Sequence, residues 1–418
     1  MYLFTPLNRD FPEMIVASAV REQHVNVLAV VELLPTDNPS LLPRGKIVRY
    51  IGLCGDYEAE RSAIHYAYAP YYWKKFPDVT EPPQDIEILD VPTINIDPPG
   101  CVDIDDCISI WLEGQVMKIA ITIADVAAWV KANPWMLSAY KIGQTLYDNG
   151  TIVRKLFPHE YRMSLIPGER RLGYALIFDW IDDTPTNMHF KEVTILNKAS
   201  YTYESIYEAT DFPVVSLQHI CETIGNKKMP DSHDWVETLM IFYNKTMASC
   251  LAEAGIGLLR KHSEPDIEKL ELYGRLGIQT KELAYSAATY EYSSTKSTHW
   301  GIGGVYTHGT SPIRRFADVV NQLAMKHVVI NDCKDELNKL QTYGKKHSRD
   351  LAFLDILSSK SSDIPGIVVS SSRIWMSTWN RFITCKNSLP EGTHVKVNYF
   401  LDMNQPTWKR RMVFRITE

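Results

Sequence analysis

The 418-residue chain is 45% hydrophobic and 22% charged, a balance that excludes a disordered, collagenous or low-complexity protein and leaves room for two or three folded domains. Its net charge of −6 argues against a surface coated in phosphate-binding charge. Seven scattered cysteines, odd in number and without a C-x-x-C pair, point away from a disulfide framework or structural zinc and toward a reducing, cytoplasmic setting. The chain begins MYLFTPLNRDFPEM, without the charged start, apolar core and small-residue site of a secretory signal. No apolar run approaches the ~18–20 residues of a membrane span, so no membrane partner is expected. In chain order, residues 1–56 read as a small β-barrel, with β-branched runs at His24–Val31 and Lys46–Ile51 around the turn-rich PTDNPSLLPRG. Residues 57–89, which include AYAPYYWKKFPDVTEPP, read as a connecting segment. An α+β body spans 90–362, with a strand KIAITIAD at 118–125 and helical patterns at about 234–254 and 312–330. The tail, 363–418, returns to short strands and turns, a second small barrel.

Charge is unevenly placed. From Phe76 to Met117 there are ten acidic residues and no Lys or Arg, while basic residues gather elsewhere in short clusters such as Arg314-Arg315, Lys345-Lys346 and Lys409-Arg410-Arg411. Within the acidic stretch, INIDPPGCVDIDDCISI sets Asp97, Asp103, Asp105 and Asp106 among Ile96, Val102, Ile104, Cys107 and Ile108. Like charges this close on a half-apolar segment raise one another's pKa unless a cation or a shared proton offsets them. Oxygen-only donors select a hard cation, Mg²⁺ with Mn²⁺ as a substitute, and the spacing is not that of a calcium-binding EF-hand loop. The bland alternative, an Asp-rich turn capping backbone amides, accounts for one or two of the four.

A second segment, YTHGTSPIRRFADVVNQLAMKHVV, reads as a helix with Ser311 as N-cap and Pro312 at its first position. That puts Arg314 and Arg315 in the first turn, where a cation is unfavourable by roughly 0.3–1 kcal/mol, so the sequence expects an anion there, a phosphate above all. The competing reading is an arginine paired with a nearby carboxylate, Asp318 at i+4 from Arg314 being the obvious candidate.

These segments together resemble the ribonuclease II (RNB) family of 3′→5′ exoribonucleases, and KKHSRD at 345–350 leans toward the eukaryotic exosome-type members. ITIADVAAWV, GQTLY, MSLIPGERRL, LAEAGIGLLRKHSEP and HWGIGGVYTHGTSPIRRFADVVNQ follow the family in order and spacing across about 90–360. The resemblance implies an RNB catalytic domain between a cold-shock-like barrel and a truncated S1-like barrel. It implies a hydrolytic exonuclease that degrades single-stranded RNA to nucleoside 5′-monophosphates. By resemblance Asp97, Asp103, Asp105 and Asp106 hold magnesium, with Asp105 and Arg314 closest to the chemistry. Tyr147, Tyr203, Glu237 and Arg315 would contact RNA, and the chain would act as a monomer. Asp234-x-x-Glu237 also reads as a capping box, and His299 and His308 read as structural. In the tail, Trp375, Trp379 and Tyr399 are candidate stacking surfaces, with core packing the alternative for a tryptophan. The chain departs from the family in its single N-terminal barrel, in Gly309 where a bulkier residue is usual, in Thr238 where a second acid is usual, and in a short stretch between Tyr203 and Glu237. The rival reading is a catalytically silent RNA-binding protein on the same scaffold.

Overall fold

A computed structural model describes residues 1–19, 26–35, 42–69, 77–83, 86–278, 284–293, 297–358 and 362–417. Four strands form the first sheet, in the spatial order Tyr2–Phe4, Met14–Val16, Arg44–Leu53, Val27–Leu33. Register shifts at Leu28/Ala29 and Val30/Val31 mark bulges, the usual device for bending a small sheet toward a barrel. His24, Val25 and the centre of the expected PTDNPSLLPRG turn lie outside the described residues. The segment expected only to connect begins as a helix, Tyr57–Tyr68. Asp56 caps it by accepting from the Ala59 N–H at 2.8 Å, and it buries Ala59, Ala63 and Ile64.

The body is built on a seven-stranded sheet in the order Ala199–Tyr201, Thr93–Ile96, Asp106–Glu113, Val116–Ala124, Arg170–Ile181, Thr184–Leu196, Ile88–Leu89. Its central pairs are antiparallel and its two outer pairings parallel. Alternation along Val116–Ala124 explains why the run is so apolar. Ile119, Ile121 and Ile123 pack with Trp235, Leu239 and Tyr243 of the Ser232–Ala254 helix. Ala120 and Ala124 pack on the other face with Trp129 and Phe316. With both faces covered, this strand has no face left for water from Ile119 onward.

The expected helix at 312–330 is shorter, Phe316–Met325, and Ser311 does not cap it. The reason is a competing backbone pairing. Thr145 N–H donates to Arg314 O and Phe316 N–H to Gly143 O, each at 2.9 Å, which holds Arg315 extended at φ −134°. Ser311–Arg315 therefore form a hydrogen-bonded turn before the helix. A long helix, Lys334–Ser358, follows, and the chain ends in a five-stranded antiparallel sheet ordered Arg381–Thr384, Arg373–Met376, Ile364–Ser370, His394–Leu401, Met412–Ile416. Trp375 and Trp379 are buried in this region, and the Tyr399 hydroxyl donates to Leu357 O at 2.9 Å. The two tryptophans are thus packing residues and not free stacking faces. No helix among the described residues is long and apolar enough to cross a membrane.

Candidate active site

The tight turn after strand Thr93–Ile96 is closed by Cys101 N–H on Pro98 O at 3.2 Å, with Gly100 at φ +78°. Pro99 suits the first central position of such a bend, and glycine takes the left-handed second one at no steric cost. The turn brings Asp97 back to the side where Asp103, Asp105 and Asp106 lie. All four line one cleft of about 580 Å³, shared with Tyr147, Tyr203, Glu237, Tyr306, Ser311, Arg314 and Arg315. Every residue expected at the site reaches this cleft.

Asp105 is nearly buried. Its Oδ1 accepts from the Ile313 N–H at 3.0 Å and its Oδ2 lies 3.4 Å from Arg314 Nε. Burial pushes its carboxyl up to about 7, against the pull of Arg314 and of the Ile313 N–H. Asp106 is held well above the usual carboxylate range by burial and by Asp97. Asp97 is also raised by burial, although Asn95 Nδ2 donates to its Oδ2 at 2.8 Å. Asn95 is itself fixed by Asn197 at 2.8 Å and Ser200 at 3.0 Å. Asp103 Oδ2 accepts from the Tyr147 hydroxyl at 2.5 Å, and Asp103 Oδ1 carries the Cys101 thiol at 3.7 Å. Among the described residues, no three acidic, histidine or cysteine side chains close on one point as an assembled metal centre. The donor set nevertheless fits a hard divalent cation: burial raises three of these carboxyls, and Arg314, with its side chain about half exposed, is the cation that faces them.

The two arginines part company. Arg314 Nη2 donates to Ser311 Oγ at 3.1 Å and keeps its guanidinium in the cleft. Arg315, expected to meet RNA, donates from Nη2 to the fully buried Asp318 at 2.9 Å. The competing reading named the right acid and the other arginine.

Tyr203 stacks on His233, ring centroids 3.6 Å apart and 17° from parallel. The helix carrying His233 is capped by Asp231, whose Oδ1 accepts from the His233 N–H at 2.9 Å. The expected capping box from Asp234 to Glu237 is thereby overturned, and Glu237, relieved of capping, lines the cleft. Further along that helix, Asn244 is a residue the sequence reading missed. It donates to Tyr306 Oη at 3.1 Å and Thr310 Oγ1 at 3.3 Å, and accepts from Gly309 N–H at 2.8 Å. A lone Asn inside the apolar run LMIFYNKTM was its signal, because a buried amide demands partners. Gly309 is explained as well, since a Cβ there would meet Met247 Sδ at 2.5 Å. His308 accepts its structural reading: it meets the Tyr290 hydroxyl at 2.8 Å, and burial lowers its pKa far below the usual value.

Comparison with known proteins agrees with this architecture. A family model described as RNB domain matches residues 85–214 and 208–331, more than half of the chain together, and one described as Dis3-like cold-shock domain 2 matches 1–69. Exosome complex exonuclease dis3 of Schizosaccharomyces pombe is 25% identical, over 76% of this chain and 44% of its own length. Ribonuclease R of Helicobacter pylori is 23% identical, over 58% of this chain and 49% of its own. The chain thus spans about half the length of the curated relatives it matches. Among solved structures, Mycoplasma genitalium RNase R in complex with ribose-methylated single-stranded RNA superposes with a TM-score of 0.74 at 16% identity, covering 96% of this chain and 85% of that one. Yeast Ssd1, described as a pseudonuclease, superposes with a TM-score of 0.64 at 15% identity, covering 92% and 63%.

Proposed function

We propose that this chain, which belongs to the RNB family, is a metal-dependent hydrolase that removes nucleoside 5′-monophosphates from the 3′ end of single-stranded RNA. The observation that carries the reading is one cleft in which four aspartates face Arg314, with Asp105 seated between the Ile313 N–H and the Arg314 guanidinium. Asp97, Asp103, Asp105 and Asp106 would hold magnesium, with the Tyr147 hydroxyl steadying the Asp103 carboxylate. When bound, such an ion supplies Lewis-acid activation of the scissile phosphate and a lowered pKa for its water.

The chain's own residues do the rest. Arg314 presents planar N–H donors to the non-bridging phosphoryl oxygens as negative charge grows on them, and Ser311 fixes its aim. Asp105 holds the Arg314 guanidinium and the Ile313 backbone in register with each other. Tyr147, anchored on Asp103, and Tyr203, backed by His233, offer rings to the terminal nucleotides. Base stacking of this kind is worth ~1–3 kcal/mol per base and ignores base identity, which suits a nuclease that must step through any sequence. Glu237 accepts from a terminal ribose hydroxyl, the group that separates RNA from DNA.

The test is a time course on 5′-labelled RNA and its DNA counterpart, with Mg²⁺ or with EDTA, for wild type and Asp105→Asn. A ladder shrinking from the 3′ end of RNA, lost in EDTA and in the variant, is the expected result. RNA that is bound yet intact with every metal tried would move the chain to the silent RNA-binding class.

A further inference from the structure

Four cations on one face of the Lys334–Ser358 helix are unaccounted for by the site. Lys339, Lys345 and Arg349 are exposed, and Lys346 lies half-buried with its ammonium 5.8 Å from the Tyr343 ring centroid. None of the four makes an ion pair among the described residues, whereas Lys334 and Lys409 on either side of them do. Asp10, which approaches this face, accepts from the Tyr343 hydroxyl at 2.6 Å. Lys346 follows Lys339 by seven residues and Arg349 follows Lys345 by four and Lys346 by three, so the four fall within a band about 120° wide and about 15 Å long at 1.5 Å per residue. A bare cationic stripe on a chain of net charge −6 is a local feature and not a reflection of the whole.

A chain of bonded residues connects this helix to the wall of the cleft. One turn before Lys345, Gln341 accepts from Arg260 Nη1 at 3.0 Å. Arg260 N–H in turn donates to the backbone of Tyr306, which lines the cleft. Arg260 is buried over the Tyr290 ring at 4.5 Å, so it adds positive potential behind Lys345. At the other end, Arg381 Nη2 donates to Arg349 O at 2.9 Å, which carries the positive face onto the C-terminal sheet. Lys345, exposed overall but partly desolvated by its neighbours, is pushed below the usual lysine range by that desolvation and by Arg260 and Arg349.

We propose that this face, through Lys339, Lys345, Lys346 and Arg349, is a track for the phosphate backbone of single-stranded RNA upstream of the nucleotides held in the cleft. The proposal rests on the nuclease reading and adds to it where the rest of the substrate lies. A polyanion releases bound counterions when such a row neutralises it, so binding acquires a salt dependence of about 0.7 per phosphate contacted on a single strand.

The experiment is fluorescence anisotropy in EDTA, which stops turnover, with RNAs of about 20 and about four nucleotides across a range of KCl concentrations; the short one reaches the cleft alone. In a protein carrying Lys339→Ala, Lys345→Ala, Lys346→Ala and Arg349→Ala, the slope of log K against log salt on the long RNA should flatten by about two to three. Affinity for the short RNA should stay within about twofold. The paired variants Lys339→Gln/Lys346→Gln and Lys345→Gln/Arg349→Gln, each with an unchanged melting curve, should divide the effect. An unchanged slope, or an equal loss on both lengths, would overturn the track. Arg314-dependent binding of the short RNA together with an unchanged long-RNA slope would sink the track and leave the nuclease reading standing. Failure of wild type to bind either RNA would sink both.

Discussion

Arg314 occupies the cleft with its side chain about half in water, tied to Ser311 and within 3.4 Å of Asp105. A residue so placed contributes little to folding, because exposed ion pairs are worth only ~0–1 kcal/mol. Its value lies in donors already aimed where charge will develop. Arg314→Ala should lower kcat by about 10²–10³, the cost of one oriented donor, with a melting temperature close to wild type. Arg314→Lys should recover only part, since a point charge lacks the guanidinium's two-pronged geometry. Single-turnover rates and melting curves measured together check this, and a parallel loss of stability would refute it. His347 makes the opposite case, a residue that titrates for the fold. It is fully buried, meets His65 at 2.9 Å, and burial pushes its pKa down to about 4. Asp148 and Arg154 face it from the neighbouring hairpin and Asp350 from its own helix. The unfolded chain, with His near 6.5, binds more protons than the fold between pH 4 and 6.5. Stability is therefore full above about pH 6.5 and lost as pH falls through that window. His347→Gln should flatten the acid limb of a plot of urea midpoint against pH, and an unaltered limb would count against the assignment.

At the scale of elements, three of them meet at Arg61. From the Tyr57–Tyr68 helix it donates from Nε to Asp148 Oδ2 at 2.8 Å and from Nη2 to the other oxygen, and from Nη1 to Asp355 at 2.5 Å. Asp148 neighbours Tyr147 in a three-residue strand, Leu146–Asp148, so the clamp sets the hairpin that carries a site tyrosine to Asp103. Arg61→Ala leaves the largely buried Asp148 carboxylate with, among the described residues, only the His65 ring beside it, 3.3 Å away, a loss of up to about 3 kcal/mol. KM for RNA should rise with it more than kcat falls, because the hairpin and not the phosphate is disturbed. Denaturant melts and steady-state kinetics test both, and a variant with unchanged stability would show the clamp to be ornamental. None of this was legible in the sequence, because ion pairs between residues 87 and 294 positions apart leave no periodic trace. The helix start at Ser311 failed for a related reason. The local signals S-P-x-R-R were sound, yet pairing of Arg314 and Phe316 with Thr145 and Gly143 outbid them. By contrast, Asp97 through Asp106 could be read, since four carboxylates in ten residues among isoleucines have few arrangements that avoid a shared site.

Over the whole molecule the β–α+β–β plan was readable, because short β-branched runs at both ends and mixed periodicities between them are local properties of the chain. Packing between those units was not: Ile64, Tyr68, Leu351 and Phe353 share a cluster with Val368, Ile374 and Trp379, which turns Trp379 inward, and Trp375 packs with Tyr273, Ile278 and Val369. Charge shows the same division. The acidic centre was visible as a sequence run, while the cationic face of Lys334–Ser358 emerges only once a helix brings positions 339, 345, 346 and 349 to one side. Placing acidic groups in a buried centre stores unfavourable energy in the metal-free protein, where burial raises Asp97, Asp105 and Asp106 and a nearby carboxylate adds to each, Asp103 for the first, Asp318 for the second, and Asp97 with Asp105 for the third. That storage makes a prediction independent of turnover. Without metal, Asp106→Asn should melt no lower than wild type and by preference higher, because the amide removes a charge that burial penalises. Magnesium at about a hundredfold over its Kd should then stabilise wild type by about 2.7 kcal/mol and Asp106→Asn by far less. The two melting curves should cross as magnesium is added. Parallel curves, or a wild type indifferent to magnesium, would mean that the aspartates serve the fold and that the silent-binder reading is correct.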